Sequence, residues 1–271
     1  MIGQKKLLKT LDDLIDSNKL PRLMILVGEE GSGRSQICEY VGKRLGISTV
    51  FCENSADDVR ETVANAYKTG AKVLNIFKDI DDMSNASKNA LLKVIEEPPN
   101  GAYFIMTSRD IGNSALATIR SRGTVFYMDA YTVDELLAYA KSNYPNTDVY
   151  LGDVARVAET PNEVDLLMSI GVADFFDFVD LVIDNISTVS GANSFKIGEK
   201  ISFKNGDGKY DLKLFLKIFM KKCSDMIVSD PLRYAEGVGI TSKYLQELSV
   251  SGINKQFVFD NWLLQIREAW M

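Results

Sequence analysis

The fold of this chain is decided by the stretch Leu23-Met24-Ile25-Leu26-Val27 and the glycine-rich stretch directly behind it, Gly28-Glu29-Glu30-Gly31-Ser32-Gly33-Arg34-Ser35. A continuous apolar run of this length is typical of a parallel strand that is buried on both faces. The glycine stretch has the spacing of a phosphate-binding P-loop, but Arg34 stands where such loops carry lysine. The two stretches together predict a strand, a tight turn and a helix.

Residues 1–128 alternate strand-like and helix-like segments, which predicts an α/β domain with a parallel five-stranded sheet. The strands are expected at 23–27, 49–51, 72–77, 102–107 and 124–128. The helices between them are expected at 35–45, at 57–69, and from a cap at Ser84 to a stop at Pro98-Pro99. Strand and helix repetition of this kind is typical of nucleotide-binding domains.

After Asp129 the pattern changes to helices alone. Short helices near 134–142, 150–158 and 161–170 predict a small helical lid over residues 129–171, and longer helices predict an all-α domain over 172–271 with a loop at 205–208. Apolar residues at helical spacing are expected to form the core of this last domain. They are Phe175, Phe178, Val179, Val182, Ile186, Leu214, Phe215, Ile218, Phe219, Phe257, Trp262, Leu263 and Ile266.

Charge is distributed unevenly along the chain. Residues 1–128 carry 17 Lys/Arg against 16 Asp/Glu, whereas residues 129–271 carry 14 against 21, within a total net charge of −6. A protein that grips duplex DNA by itself needs a dense basic face, because the release of counterions from phosphate drives that binding. Binding of DNA by this chain alone is therefore not expected.

Other features of the composition limit the kinds of catalytic and metal sites that the chain could contain. The chain has no histidine, which removes the usual general base and the commonest transition-metal ligand. Its three cysteines, Cys38, Cys52 and Cys223, have neither the spacing of a disulfide framework nor that of a zinc site. No apolar run reaches the roughly 18 residues of a membrane span and no signal peptide is apparent, so a cytoplasmic protein is expected.

Two further stretches carry a family signature: residues 89–99 read Asn-Ala-Leu-Leu-Lys-Val-Ile-Glu-Glu-Pro-Pro, and residues 118–123 read Thr-Ile-Arg-Ser-Arg-Gly. With the glycine loop ahead of them, they closely resemble the small AAA+ subunits of DNA-polymerase sliding-clamp loaders, especially the delta-prime type of bacterial DNA polymerase III. The motifs cover about residues 2–142. The resemblance implies a AAA+ module, a helical lid and a helical collar that holds a hetero-oligomer together, in a complex that loads the sliding clamp during DNA replication.

The resemblance also implies a degenerate nucleotide site. Gly28, Gly31, Gly33 and Ser35 hold P-loop positions, but the lysine position is Arg34, whose planar fork does not replace a compact ammonium. The acid pair that manages Mg²⁺ in active relatives is Lys78-Asp79, and the lysine repels the cation. Thr107 and Ser108 fall at the phosphate-sensing position, whereas the lid stretch 160–163 lacks the family's arginine. These substitutions predict no efficient hydrolysis of Mg·ATP by the chain itself.

Two cofactor questions follow from this pattern. Two alternatives stay open for the glycine loop. It could bind ATP or ADP without a well-ordered Mg²⁺, with Arg34 and Lys78 both neutralising phosphate, or it could be a vestigial loop that only joins strand and helix. No metal site is expected. The four-cysteine insertion that binds zinc in relatives is missing ahead of the helix at 57–69, so no zinc is expected either.

The segment 118–123 matches the Ser-Arg-Cys motif of clamp-loader subunits, with Gly123 in place of the cysteine. In that family the arginine projects into the ATP site of the next subunit, which implies the role of an arginine finger in trans for Arg122. Arg120 is a second candidate, since it lies just before the serine of the motif. The alternative is an ordinary surface arginine paired with an acid.

Partners implied by the resemblance are a gamma/tau-like ATPase, a delta-like subunit, and, through the complex, the sliding clamp and primer-template DNA. Two other functions stay open. The chain could be a slow P-loop ATPase in which Arg34 serves for lysine and Asp79 or Asp81 recruits the metal. It could also be a AAA+ adaptor or helicase-loader relative that acts on a different protein.

Overall fold

The computed structural model describes residues 3–69, 72–109, 117–147, 150–188, 196–203, 208–248 and 252–271. It forms two compact units. The first contains Met1–Glu135 together with Thr160–Asn162, and the second contains Leu136–Glu159 and Glu163–Met271. The division into domains 1–128, 129–171 and 172–271 stays a prediction. Among the described residues, none of the helices is long and apolar enough to cross a membrane.

A five-stranded parallel sheet organises the first unit, in the order β2-β3-β4-β1-β5. Its strands are β1 (Leu23–Val27), β2 (Ser48–Cys52), β3 (Val73–Phe77), β4 (Tyr103–Ser108) and β5 (Thr124–Tyr127). The helices that accompany them are α1 (Lys5–Asp16), α2 (Arg34–Leu45), α3 (Ala56–Thr69), α4 (Asn85–Glu96) and α5 (Ala117–Arg120). The α/β prediction with a parallel five-stranded sheet is confirmed.

Alternate residues of the interior strand β1, which lies between β4 and β5, face opposite layers. Leu23, Ile25 and Val27 belong to a core that includes residues of α3 and α4, whereas Met24 and Leu26 belong to a core shared with α1 and α2. A strand covered by helices on both faces has no polar side, which is why β1 is a continuous apolar run.

Two helices that begin in this unit, α4 and α6, have side-chain caps at their first turn. Ser84 accepts a hydrogen bond at its Oγ from the Ser87 N–H at 3.1 Å, which caps α4 as predicted. Thr132 and Glu135 form a reciprocal capping box at the start of α6 (Val133–Asn143), because each side chain accepts from the other residue's N–H, at 3.2 and 3.0 Å.

The described part of the second unit is mainly helical. From Leu136 onward, its helices are the last part of α6, then α7 (Leu151–Val157), α8 (Pro161–Ile170, from Glu163 onward), α9 (Val172–Asn185), α10 (Leu212–Met226), α11 (Pro231–Leu248) and α12 (Lys255–Trp270). Ile201–Ser202 (β6) and Tyr210–Asp211 (β7) form a short parallel pair. The predicted loop at 205–208 lies largely outside the described residues.

Aromatic rings form the core of the second unit. Phe215 and Phe219 pack edge-on against Trp262, with ring centroids 5.4 and 4.9 Å apart, and the Trp262 indole N–H donates to Thr241 Oγ1 at 3.0 Å. The prediction that Phe257 joins this core is wrong, because its side chain is 65% exposed. Phe257 lies in the first turn of α12, where Val258 and Phe259 point inward instead.

Candidate functional site

The conformation of the glycine loop between β1 and α2 requires glycine residues. Gly31 and Gly33 have φ angles of +78° and +89°, in the left-handed region that disfavours other residues. A Cβ atom at Gly31 would lie 2.6 Å from Asn162 Cβ and 2.9 Å from Thr160 Oγ1. Both conformation and packing therefore require glycine at position 31.

Polar contacts hold the loop from two sides. The Gly28 N–H donates to the carbonyl oxygen of Ser108 at 3.1 Å, and the Tyr131 hydroxyl donates to the carbonyl oxygen of Ser32 at 2.8 Å. The Ser32 hydroxyl is buried and has no hydrogen-bond partner among the described residues. The loop thus keeps one unpartnered polar atom inside it.

Arg34, the residue at the lysine position, turns inward. Its side chain is 9% exposed, and Nη1 lies 2.8 Å from Oδ1 of Asp79, whose side chain is 41% exposed. The two atoms attract each other by charge without the alignment of a hydrogen bond. The structure therefore joins the altered P-loop position directly to the altered acid pair, residues that are far apart in the sequence.

Asp79 is itself held by the strand that carries the predicted phosphate sensor. Its backbone is left-handed, with φ of +49°, and its N–H donates to Thr107 Oγ1 at 3.0 Å. The next N–H, of Ile80, donates to the Thr107 carbonyl at 2.9 Å. Thr107 and Ser108 are buried at the end of β4, so the hydroxyl of Thr107 holds the loop after β3 in place.

Lys78 takes a different direction from Arg34. It is exposed, its Nζ lies 4.4 Å from the centroid of the Phe51 ring, and its carbonyl accepts from the Asn54 amide at 2.6 Å. Burial raises the pKa of the Cys38 thiol to about 12, although the charges of Lys78 and Arg34 act to lower that pKa. The two cations therefore lie near α2, but one stacks on an aromatic ring and the other pairs with an acid.

A second ion-pair cluster follows in the same loop. Arg109, the first residue after β4, lies 2.8 Å from Asp81 and also pairs with Asp82. Burial is the largest single influence on the pKa of Asp81 and acts to raise it. The hydrogen bond and the charge of Arg109, with hydrogen bonds from the backbone and from Ser108, together outweigh burial, so that this pKa is lowered. Sequence reasoning missed Arg109, although its place directly behind the sensor residues Thr107 and Ser108 was a usable signal.

Arg122 lies in the turn between α5 and β5. Its Nη1 donates to the Thr118 carbonyl at 3.2 Å and to Ser121 Oγ at 3.4 Å, and its Nη2 lies 3.5 Å from Glu96 Oε1. The side chain is 41% exposed. Arg122 is therefore positioned by long contacts at the surface of the first unit.

The contact between Arg122 and Glu96 brings the two signature stretches together. Leu91, Val94 and Ile95 are buried in the core beside the sheet, which leaves Glu96 at the exposed end of α4. Helix α4 ends at Glu96, ahead of Pro98 and Pro99, and the Pro99 carbonyl accepts from Arg22 Nη1 at 3.0 Å. The motif at 89–99 thus supports the segment that carries Arg122.

Comparison with known families and proteins agrees with this architecture. Residues 53–132 match the family model described as "DNA polymerase III, delta subunit". The DNA polymerase III subunit gamma of Buchnera aphidicola (subspecies Schizaphis graminum) is 25% identical over 52% of this chain and 47% of its own length. The subunit delta' of Haemophilus influenzae is 33% identical over 37% of this chain and 29% of its own length. The chain spans less than half the length of these relatives.

Solved structures share the fold. A DNA polymerase III gamma subunit-related protein of Thermotoga maritima has a TM-score of 0.56 at 16% identity, covering 97% of this chain and 99% of its own. The RuvB Holliday junction branch migration motor of the same organism has a TM-score of 0.53 at 19% identity, covering 97% of this chain and 88% of its own. At these identities the likeness concerns the fold alone.

Proposed function

Because this chain belongs to the DNA polymerase III delta-prime/gamma-tau clamp-loader family, which has the AAA+ fold, we propose that it is a delta-prime-like subunit of a clamp loader. It supports loading of the sliding clamp in DNA replication without turning over ATP itself. It donates Arg122 to the ATP site of a neighbouring gamma/tau-like ATPase subunit. Residues 1–128 are the AAA+ module, residues 129–171 the lid, and residues 172–271 the collar that holds the subunits together.

The main support for this proposal is that the two arginines of the family motifs have different partners within the chain. Arg34 is buried against a carboxylate at 2.8 Å, whereas Arg122 is exposed and its nearest carboxylate contact is 3.5 Å long. An exposed ion pair of that length contributes on the order of 0–1 kcal/mol, so Arg122 can exchange Glu96 for a more strongly charged partner at little cost.

The charges around Arg34 argue against hydrolysis at the chain's own site. Mg·ATP needs a cation that reaches the terminal phosphates and a carboxylate that supports the metal shell. Here Arg34 and Asp79 neutralise each other, and Lys78 replaces the first acid of the pair. Asp81 is already engaged by Arg109. None of these four residues is left to manage a metal-bound triphosphate.

The chemistry of Arg122 suits action on a neighbouring subunit. A guanidinium presents a planar fork of N–H donors that matches phosphate oxygens, and it stabilises the negative charge that develops during phosphoryl transfer. An arginine finger of this kind contributes about 10³ to 10⁵ in turnover. Support from Thr118, Ser121 and Glu96 orients the side chain without burying it.

The test is ATP turnover by the complete complex, reconstituted with the gamma/tau-like ATPase and delta-like subunits in the presence of sliding clamp and primer-template DNA. We expect Arg122→Ala to lower turnover by about 10³-fold while assembly is unchanged by size-exclusion chromatography. Arg120→Ala is the matched control, since Arg120 is two residues away in the same segment. Unchanged turnover in a fully assembled Arg122→Ala complex would reject the role.

A further inference from the structure

We infer that Asp79 is a built-in anion that occupies Arg34 and keeps it from phosphate, so that removing the charge of Asp79 uncovers a metal-independent polyphosphate site at the glycine loop. This inference rests on the proposal that the chain does not process Mg·ATP. It adds a physical cause for the lack of phosphate binding, namely the charge of the Asp79 carboxylate.

The geometry supports direct competition for Arg34. Its Nη1 is 2.8 Å from Asp79 Oδ1, a close ion pair that is held by charge without the alignment of a hydrogen bond. A carboxylate and a phosphate both bind the N–H donors of a guanidinium, so a polyphosphate oxygen that approaches Nη1 competes with Asp79 for it. Arg34 is 9% exposed, which leaves little of its side chain for a second partner.

The position of Asp79 is fixed independently of Arg34. Its left-handed backbone, with φ of +49°, and the hydrogen bond from its N–H to Thr107 Oγ1 both hold the residue where its side chain meets Arg34. Asp and Asn tolerate this backbone region better than most residues. Replacing Asp79 by Asn therefore removes the charge while it retains the shape and the backbone.

Two other features favour an anion once Asp79 is neutral. Ser32 is 5% exposed and lies within the glycine loop, and its buried hydroxyl has no hydrogen-bond partner in the described parts of the chain, which leaves it a donor for a ligand at the loop. Arg34 is the first residue of α2, a helix of 12 residues whose N-terminal dipole attracts negative charge. Lys78, the residue before Asp79, adds a positive charge that favours a metal-free anion over a magnesium complex.

The experiment is isothermal titration calorimetry of the full chain with inorganic tripolyphosphate in EDTA. We expect Asp79→Asn to bind at least about tenfold more tightly than wild type, which corresponds to about 1.4 kcal/mol. Added Arg34→Gln in the double variant is expected to abolish this gain. Asp82→Asn is the matched control, because it removes one negative charge from the same loop but from a carboxylate that pairs with Arg109.

The outcomes separate clearly. Tight binding by Asp79→Asn that depends on Arg34 and weakens with salt supports the inference. Equal affinity in wild type, Asp79→Asn and Asp82→Asn overturns it, as does a gain that survives Arg34→Gln. If Asp79→Asn does not fold, Asp79→Gly replaces it, since glycine accepts the left-handed backbone. Because the titration uses the isolated chain, its failure leaves the turnover test of Arg122 in the complex unaffected.

Discussion

The glycine loop and the segment 118–123 each contain an arginine at a family motif, and the two arginines differ in burial and in the acids that they contact. Arg34 is enclosed and paired with Asp79, and Asp79 is held in turn by Thr107. Arg122 is exposed and rests on a backbone carbonyl, a hydroxyl and a distant carboxylate. Burial and the nearest acid thus make the guanidinium of Arg34 a structural cation, whereas that of Arg122 is left exposed, as the proposed role in a neighbouring subunit requires.

The glycines of the two regions provide the largest contrast in stability. Gly31→Ala is expected to lower the free energy of unfolding by about 2–4 kcal/mol, because alanine at φ of +78° is strained and its Cβ meets Asn162 and Thr160. Gly123→Ala is expected to cost less, about 1 kcal/mol, because its backbone is not left-handed, although its Cβ would meet Cδ1 and Cγ1 of the buried Ile25 at 2.9 and 3.1 Å. Urea denaturation of both variants measures the difference, and equal losses would contradict it.

Replacement of the two arginines is expected to give a smaller difference in the free energy of unfolding than replacement of the two glycines. Arg34→Ala removes a buried cation and leaves Asp79 without its partner, so we expect a loss of about 1–2 kcal/mol in the free energy of unfolding. Arg122→Ala removes an exposed side chain and should change it by no more than about 0.5 kcal/mol. The measurement is again urea denaturation, with the two variants side by side. A larger loss for Arg122→Ala would mean that the exposed arginine is structural.

Arg109 lies between these two cases, since it is partly exposed yet pairs with two acids. Burial raises the pKa of Asp81, but the hydrogen bonds that this carboxylate accepts, together with the charge of Arg109, outweigh burial, so the pKa lies below its ordinary value of 3.8. The unfolded chain therefore binds more protons between the two pKa values, so the stabilisation is present above the ordinary value and is lost as the pH falls through the lowered one.

Thermal unfolding of wild type and Asp81→Asn, measured at decreasing pH, tests this pH dependence, which is the smallest effect expected. We expect the advantage of wild type to shrink as the pH falls below about 4. Asp57→Asn serves as the control, because the Asp57 side chain is 93% exposed and pairs only with Arg60 among the described ion pairs. A difference between wild type and Asp81→Asn that does not change with pH would show that Arg109 does not lower the pKa of Asp81.

Much of the fold could be predicted because its signals are local. Apolar runs, the cap at Ser84 and the capping box at Thr132 each depend on neighbouring residues, and their elements lie within a few residues of where they were expected. Helix α11 was missed because Gly237 and Gly239 interrupt its pattern. The structure gives Gly237 a packing reason, since a Cβ there would lie 2.7 Å from the Trp270 ring.

Motif positions in the sequence select Arg34, Asp79, Thr107 and Arg122 as candidates, because each lies at the end of a strand or within a motif. The contacts among them could not be predicted. That Arg34 pairs with Asp79 depends on a left-handed residue and on side-chain directions across two neighbouring loops, and no sequence pattern specifies either. The contact between Arg122 and Glu96 likewise joins two motifs that only the folded sheet brings together.

The difference between the two arginines is tested most directly by making the same change in both and measuring ATP turnover of the reconstituted complex. Lysine keeps the charge and loses the planar fork, so Arg122→Lys should lower turnover by at least about tenfold. Arg34→Lys should leave it within about twofold, because Arg34 faces its own acid. A loss of turnover in Arg34→Lys with none in Arg122→Lys would contradict the proposed division between the two regions.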